Sequence, residues 1–340
     1  MRYPQFLQKN GTIGFVAPAF GCAAEPYYSA FMHALDRFRA MGYGIRLGAN
    51  CFEDKGVGIS NLPELCGEEL NESYLSGAND VIISCGGGEL MCEVLPYVDF
   101  AAIAEAKPKW YMGYSDNTNF TFLSATLCDT AAIYGPGAGA FGMEPWHPSV
   151  QDAFALLCGE RDSFHSYDKW ERESCKSAES PLAPYNVTEP VVIRSVPDGD
   201  IRLQGRLLGG CMDCLVNLLG TEFDRVKEFT DRYAQDGILW FLEACDLNLM
   251  SIRRAIWQMK HAGWFAHVKG FLFGRPLCFG QEMFGIDQYE AVTALLGEYG
   301  VPIIMDLDIG HLPPMMPVVC GAYASAELKD GRFSIRYIYE

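Results

Sequence analysis

Residues 107–120 read Lys-Pro-Lys-Trp-Tyr-Met-Gly-Tyr-Ser-Asp-Asn-Thr-Asn-Phe, and the fold is read outward from them. Trp110, Tyr111 and Met112 form a short apolar run of the kind that makes a buried strand. Gly113 breaks that run, a polar cluster from Ser115 to Thr118 follows, and 119–127 has the composition of a helix. Strand, sharp turn, serine, helix is the order of a nucleophile elbow. In that layout the turn exposes the serine hydroxyl, and the helix N-terminus aims backbone N–H groups at developing negative charge. The stretch is not a complete G-x-S-x-G, because Asn117 stands in the place of the second glycine. Read without chemistry, Ser115 or Asp116 is a helix cap accepting the N–H groups that the first turn leaves free.

On both sides of the elbow, apolar strands alternate with amphipathic helices. Strands are expected at 13–17, 44–47, 81–84 and 131–134, and helices at 26–41, 62–74, 89–94 and 150–158. Such alternation predicts an α/β unit with a parallel sheet covered by helices on both faces. Ligands of such sheets bind beyond the carboxyl ends of the strands. Ser115 and the triplet Gly86-Gly87-Gly88 both fall at such ends. Periodicity then fades over 164–200, where Trp170, Glu171, Arg172, Glu173 and three prolines, Pro181, Pro184 and Pro190, mark a linker or binding loop. A second α/β unit is expected from residue 201. It opens with a strand at 202–208, a turn at Gly209-Gly210 and a helix at 212–219. An apolar strand at 238–242 ends in Glu243, and a helix at 249–260 carries Leu249, Ile252, Ile256 and Met259 on one face. Further strands are expected at 268–273, 302–305 and 322–328. The expected organisation is therefore 1–163, a connecting segment 164–200, and 201–340.

Composition bounds the function. A hydrophobic content of 49% and a charged content of 20% describe a globular chain, here 340 residues long and able to bury a sizeable core. A net charge of −17 argues against nucleic-acid and anionic-membrane surfaces, while leaving room for a small nucleotide-like ligand in a pocket. No apolar run has the length of a membrane span, and the N-terminal stretch lacks the charged-then-apolar order of a secretory signal. Thirteen cysteines, an odd number scattered through apolar context, fit reduced thiols and a cytoplasmic location.

A hydroxyl nucleophile needs a base, and the base needs an acid to orient it. Of six histidines, His311 is the best framed, in Asp308-Ile309-Gly310-His311-Leu312-Pro313-Pro314. Its plain reading is a structural loop histidine. Glu243 closes a very apolar strand, where a carboxylate is costly unless paired or at a crevice. Asp246 competes for the acid's role, and Arg253 or Arg254 are alternative partners for Glu243. Cys85, beside the glycine triplet, is a rival nucleophile, against the commoner role of a buried thiol. Cys211-Met212-Asp213-Cys214 is a lone C-x-x-C with no second pair, which does not make a zinc site.

Taken together and in order, Gly11-Thr12-Ile13-Gly14-Phe15-Val16-Ala17-Pro18, Gly113-Tyr114-Ser115-Asp116, Tyr134-Gly135-Pro136, Gly209-Gly210, Leu242-Glu243 and Gly310-His311 resemble the LD-carboxypeptidase family of serine peptidases. The resemblance spans nearly the whole chain. It implies a flavodoxin-like N-terminal domain with a parallel sheet, a smaller C-terminal α/β domain, an active site at their junction, and commonly a homodimer. It implies a triad of Ser115, Glu243 and His311, with an oxyanion hole from the N–H groups of Asp116 and of Gly87 or Gly88. It implies no metal and no organic cofactor. Two departures bear on the substrate. The family often shows an aromatic or Arg-Gly-Gly-Tyr pattern where this chain has Ser84-Cys85-Gly86-Gly87-Gly88-Glu89, and Gly-Gly-Asn where it has Gly209-Gly210-Cys211. Cys211 is thereby expected near the substrate. The 164–200 segment resembles the microcin C self-immunity branch, which implies that Trp170 stacks on a nucleobase; its plain reading is a packed linker residue. The expected reaction is hydrolysis of an amide in a murein L,D-peptide or an aminoacyl-nucleotide. The rivals are a cysteine amidotransferase-like hydrolase using Cys85 and a non-catalytic, ligand-sequestering protein.

Overall fold

The computed structural model describes residues 1–339, and the counts below are of those residues. The first half contributes strands β1 (Thr12–Val16), β2 (Gly44–Leu47), β3 (Val81–Ser84), β4 (Tyr111–Gly113) and β5 (Ala132–Tyr134). They pair in parallel in the order β2-β1-β3-β4-β5. This is the flavodoxin-type doubly wound order. The helices between them are α1 (Tyr27–Ala40), α2 (Pro63–Leu75), α3 (Phe100–Glu105) and α4 (Thr118–Thr126), and α5 (Pro148–Leu157) follows β5. The 89–94 helix forms instead as a 3-10 turn over Met91–Tyr97. Helix α1 shows why these elements form. Ala30, Phe31, Ala34, Leu35 and Phe38 recur at helical spacing and are buried, and Phe31 and Phe38 meet Phe15 of β1 at 5.3 and 6.0 Å between ring centroids. Each such side chain contributes about 1.5–3 kcal/mol on burial.

The connecting segment is not a plain linker. It holds β6 (Ser163–His165), β7 (Lys169–Glu171), β8 (Val187–Pro190) and β9 (Arg194–Val196). β7 and β8 pair with each other, while β6 and β9 become the two edges of the second sheet. The rest of that sheet comes from β10 (Ile201–Cys211), β11 (Ile238–Glu243), β12 (Val268–Gly274), β13 (Ile303–Leu307), β15 (Tyr323–Lys329) and β16 (Arg332–Ile338). β10 to β13 run parallel, and antiparallel strands flank them. The sheet has eight strands, two of them the edges β6 and β9 that precede residue 201, against six in the first. Its helices are α6 (Met212–Leu218), α7 (Val226–Arg232), α8 (Leu249–His261) and α9 (Gln288–Leu296). One strand crosses over: β14 (Val318–Cys320) leaves the C-terminal unit and adds antiparallel to β5 as the outer strand of the first sheet. Among the described residues, no helix is long and apolar enough to cross a membrane.

One expectation fails in an instructive way. Gly209-Gly210 is not a turn, because β10 runs straight through it to Cys211. Both glycines have φ near +150° (+151° and +150°), a conformation that a side chain strains. A Cβ at Gly209 would stand 1.7 Å from the Phe241 carbonyl oxygen, and one at Gly210 would stand 2.6 Å from Thr118 Cγ2. The pair is there for close approach of β11 and α4, not for a change of direction.

The two units meet over α4. All nine of its residues are buried, five of them polar, and Thr118, Asn119, Ser124 and Thr126 are kept there by hydrogen bonds. Phe122 stacks on Trp264 at 5.5 Å and lies 6.4 Å from Trp240 of β11. The helix behind the elbow is thus the packing bridge between the units. Phe122→Ala should cost about 3–5 kcal/mol, the range for emptying a buried aromatic site. Urea unfolding measures this, and a loss below about 1 kcal/mol would mean that α4 does not carry the junction.

Candidate active site

The carboxyl ends of β3, β4 and β5 face those of β10, β11 and the loop after β13. Ser115 lies just past β4, where the chain must reverse into α4. Its φ is +62°, left-handed for a non-glycine residue, which costs on the order of 1–3 kcal/mol and persists only where neighbours impose it. Those neighbours are visible. The Ser115 N–H donates to the Tyr134 hydroxyl at 3.2 Å. Asn117 Nδ2 donates to the carbonyls of Gly86 at 2.7 Å and Tyr114 at 3.1 Å, and its Oδ1 accepts from the Tyr111 hydroxyl at 2.5 Å. The Asp116 carboxylate accepts from Met91 N at 2.8 Å and Asn119 Nδ2 at 3.0 Å. Its pKa is pushed up to about 6 by burial. Asn117, standing where a second glycine was missing, therefore stitches the elbow to the glycine triplet. It also explains Gly113, where a Cβ would come within 2.8 Å of Asn117 Cγ.

Ser115, His311 and Glu243 converge from positions up to 196 residues apart. The Ser115 hydroxyl lies 2.8 Å from His311 Nε2, and His311 Nδ1 lies 2.9 Å from Glu243 Oε2. A carboxylate only accepts, so Nδ1 carries the proton and Nε2 is left as the acceptor for the serine hydroxyl. The other carboxylate oxygen, Oε1, accepts from the Tyr134 hydroxyl at 2.5 Å. Tyr134 thus touches both the Ser115 backbone and the Glu243 carboxylate. Gly310 permits the approach: its φ is +104°, and a Cβ there would fall 2.5 Å from Glu243 Oε2. The Glu243 side chain is wholly buried, against 13% exposure for His311. Burial opposes ionisation of Glu243, yet His311 and the donated hydrogen bonds outweigh it and lower its pKa. Burial likewise opposes a charged His311, and the facing carboxylate outweighs it, raising the imidazole well above its ordinary value. The arrangement can move a proton from a serine hydroxyl to a base whose charge is matched behind it.

The other expected site residues fall as follows. Gly87 lies against Ser115, where an added Cβ would be 3.1 Å from the hydroxyl oxygen Oγ. Gly88 instead faces the Asp116 carboxylate, at 2.8 Å by the same measure. Cys211, expected to touch substrate, is only 1% exposed. Strand pairing sets it beside Glu243, and its thiol reaches the Asp213 carboxylate at 3.3 Å, so it backs the carboxylate and does not line an open pocket. Trp170, expected to offer a stacking face, is 3% exposed. Its indole N–H donates to the Pro190 carbonyl at 3.1 Å, Phe279 packs against its ring at 5.2 Å, and Arg172 and Arg275 lie over the ring. A residue so enclosed has no face left for a base. Cys85 is buried beside Cys22 and Cys51, and burial pushes its thiol well above the usual range, the reverse of an activated nucleophile. Asp246 is exposed, and the partner of Glu243 is His311 rather than Arg253 or Arg254.

Sequence reading missed the support beneath His311. Asp308, three residues earlier, is fully buried and pairs with the buried Arg275. Its second oxygen accepts from Tyr167 N at 2.8 Å, and Arg275 donates to the Asp306 carbonyl at 2.7 Å. Glu171 N donates to the Pro313 carbonyl at 2.7 Å. The 164–200 segment therefore clamps the histidine loop, with Trp170 packed over Arg275. An aspartate two residues before Gly310-His311 was visible, but nothing local announced an arginine more than thirty residues away. Asp308→Ala should cost about 3–5 kcal/mol by stranding the Arg275 charge. The double variant Asp308→Leu/Arg275→Met, which removes both charges, should recover most of it. Thermal unfolding of the three proteins checks this, and a double variant no better than the single would mean that the charges are not what holds the loop.

With this geometry in view, comparison with known proteins is direct. The LD-carboxypeptidase N-terminal domain model matches residues 13–135, and the C-terminal domain model matches 204–326. The microcin C7 self-immunity protein MccF of Escherichia coli is 25% identical, covering 80% of this chain and 78% of its own. The Bacillus subtilis (strain 168) protein named "Probable murein peptide carboxypeptidase" is 24% identical over 95% of this chain and 90% of its own. Among solved structures, MccF in complex with glutamyl sulfamoyl guanosine has a TM-score of 0.83 at 20% identity, covering 99% of this chain and 98% of its own. That likeness carries the two-domain α/β fold.

Proposed function

This chain belongs to the LD-carboxypeptidase family, matched in both of its domains, and on that premise we propose that it is a serine carboxypeptidase using Ser115, His311 and Glu243. The observation that carries the reading is the unbroken relay of 2.8 and 2.9 Å from the Ser115 hydroxyl through His311 to Glu243. His311 Nε2 takes the hydroxyl proton as Ser115 attacks an amide carbonyl near the substrate's terminus. Glu243 balances the imidazolium that forms, and Tyr134 holds the carboxylate in place. The N–H groups of Asp116 and Gly87 face the developing oxyanion, with Gly87 favoured over Gly88 by its approach to Ser115. His311 then returns the proton to the leaving amine, and water hydrolyses the acyl-enzyme by the same relay.

The substrate class we favour is a short murein-type peptide with an L,D junction, because the enclosed Trp170 removes the feature that spoke for nucleobase stacking. An aminoacyl-nucleotide is the second reading, supported by the likeness to MccF solved with glutamyl sulfamoyl guanosine. The reading includes the 1–163, 164–200 and 201–340 division, a cytoplasmic homodimer, and catalysis without metal or organic cofactor. The cysteines are all free thiols, which suits a reducing compartment.

Incubation with an L-Lys-D-Ala or diaminopimelate-D-Ala peptide, and separately with an aminoacyl-sulfamoyl adenosine, followed by mass spectrometry, tests both. Ser115→Ala should lose on the order of 10⁴-fold or more in rate while staying folded. Cys85→Ala should keep wild-type turnover; the opposite pattern would establish the cysteine hydrolase. If neither variant matters and ligand still binds, the protein is a sequestering one.

The raised His311 pKa has a definite sign. The free base that accepts the proton predominates only above the ordinary histidine value of 6.5, so kcat/KM should fall with pH along a limb centred above 6.5. Glu243→Gln removes the charge that raises it, and the limb should move to lower pH. A pH–rate profile of both proteins measures this, and a limb unmoved by the substitution would remove Glu243 from the relay.

A further inference from the structure

Cys211 is a buried thiol that the mechanism does not use. Strand pairing sets it opposite Glu243, at the matching ends of β10 and β11. His311 reaches the same point from the loop after β13. One ligand atom from each of Cys211, Glu243 and His311 lies within 4.8 Å of the other two, and among the described residues no other trio of metal-ligating side chains comes as close.

We propose that Cys211, Glu243 and His311 form an inhibitory site for a borderline-soft divalent cation of the zinc type. Sulfur, nitrogen and one carboxylate oxygen are the donors zinc accepts, whereas calcium and magnesium take oxygen ligands. Tetrahedral bonds of about 2.0–2.3 Å put ligand atoms within roughly 4 Å of each other, so the cluster closes by small side-chain rotations. Charge favours the ion. Bound zinc balances the Cys211 thiolate and the Glu243 carboxylate, and the Asp213 carboxylate beside the sulfur adds further negative charge toward the cation, so no isolated ion is left buried. On binding, the Cys211 thiol gives its proton to solvent and its sulfur lone pair to the metal. Glu243 supplies an oxygen, and His311, its ring proton moved from Nδ1 to Nε2, supplies the lone pair of the nitrogen that faces the carboxylate at 2.9 Å. That imidazole can no longer relay the Ser115 proton, so binding and hydrolysis exclude each other.

The inhibition rests on the serine-peptidase reading above; the binding does not. The test therefore begins with binding. The full-length, chelator-stripped protein is titrated with Co²⁺, reading the thiolate-to-cobalt charge-transfer absorption, and then with Zn²⁺ against a chromophoric chelator. One ion per chain is expected, with a thiolate band that Zn²⁺ displaces. The band should persist in Ser115→Ala and disappear in Cys211→Ser, with zinc affinity falling about a hundredfold or more. Should Cys211→Ser misfold, Cys211→Asn, which also removes the sulfur, serves in its place. Cys245, whose thiol also contacts His311, and Cys214, in contact with Cys211, are the rival donors. A band that survives Cys211→Ser and vanishes in Cys245→Ser or Cys214→Ser overturns the assignment, as does no band in the wild type. If the protein hydrolyses its substrate, Zn²⁺ should stop it and a chelator restore it. A protein that binds zinc through Cys211 but hydrolyses nothing leaves the site standing and removes the peptidase reading alone.

Discussion

A carboxylate with no exposed surface needs partners on every side, and Glu243 sets the terms for the structure around it. An unpaired buried charge of this kind costs several kcal/mol. Here the Tyr134 hydroxyl comes from the first sheet and the His311 ring from a loop after the second. Neither of these elements stabilises the carboxylate alone. The charge is tolerated only when both sheets have docked, which makes the assembled site and the closed domain junction one event. Gly310 belongs to the same constraint, because any side chain there would collide with the carboxylate.

The elbow answers a parallel demand. Ser115 holds a left-handed backbone that it does not prefer, and the surrounding hydrogen bonds of Asn117, Asp116 and Tyr134 keep it there. These in turn depend on α4 being buried along its whole length between the units. On the opposite bank, the Asp308–Arg275 pair and the strand backbone of the connecting segment hold the histidine loop. Ser115 and His311 are thus each anchored in a different unit, and their 2.8 Å separation reports how precisely the units fit.

Much of this was readable from local pattern. The strands at β1, β3 and β11 and the buried face of α8 follow from apolar runs and helical spacing, which depend on neighbours in sequence. Ser115, Glu243 and His311 stood out because each is a polar residue in a glycine-marked or strongly apolar frame. What escaped was long-range. Glycine has two uses, turning and close approach, and only the position of Phe241 and Thr118 tells which applies at Gly209-Gly210. Trp170 and Cys211 carry the right chemistry for contact with a ligand, but burial depends on what packs over them. β9 and β14 are three-residue strands whose partners lie more than a hundred residues away, beyond the reach of any local period.

β14 also has a bearing on how the chain is made. Synthesis proceeds from the N-terminus, and domains fold as they emerge. The first sheet can assemble once residue 134 is out, but its outer strand β5 then waits for residues 318–320 to cover it. For most of translation the nascent chain therefore presents a bare, apolar strand edge, the kind of template on which other chains pair. The same crossover means that the halves are laced together rather than strung in series. Cutting the gene at the connecting segment would leave one fragment with an open edge and the other with an orphan strand.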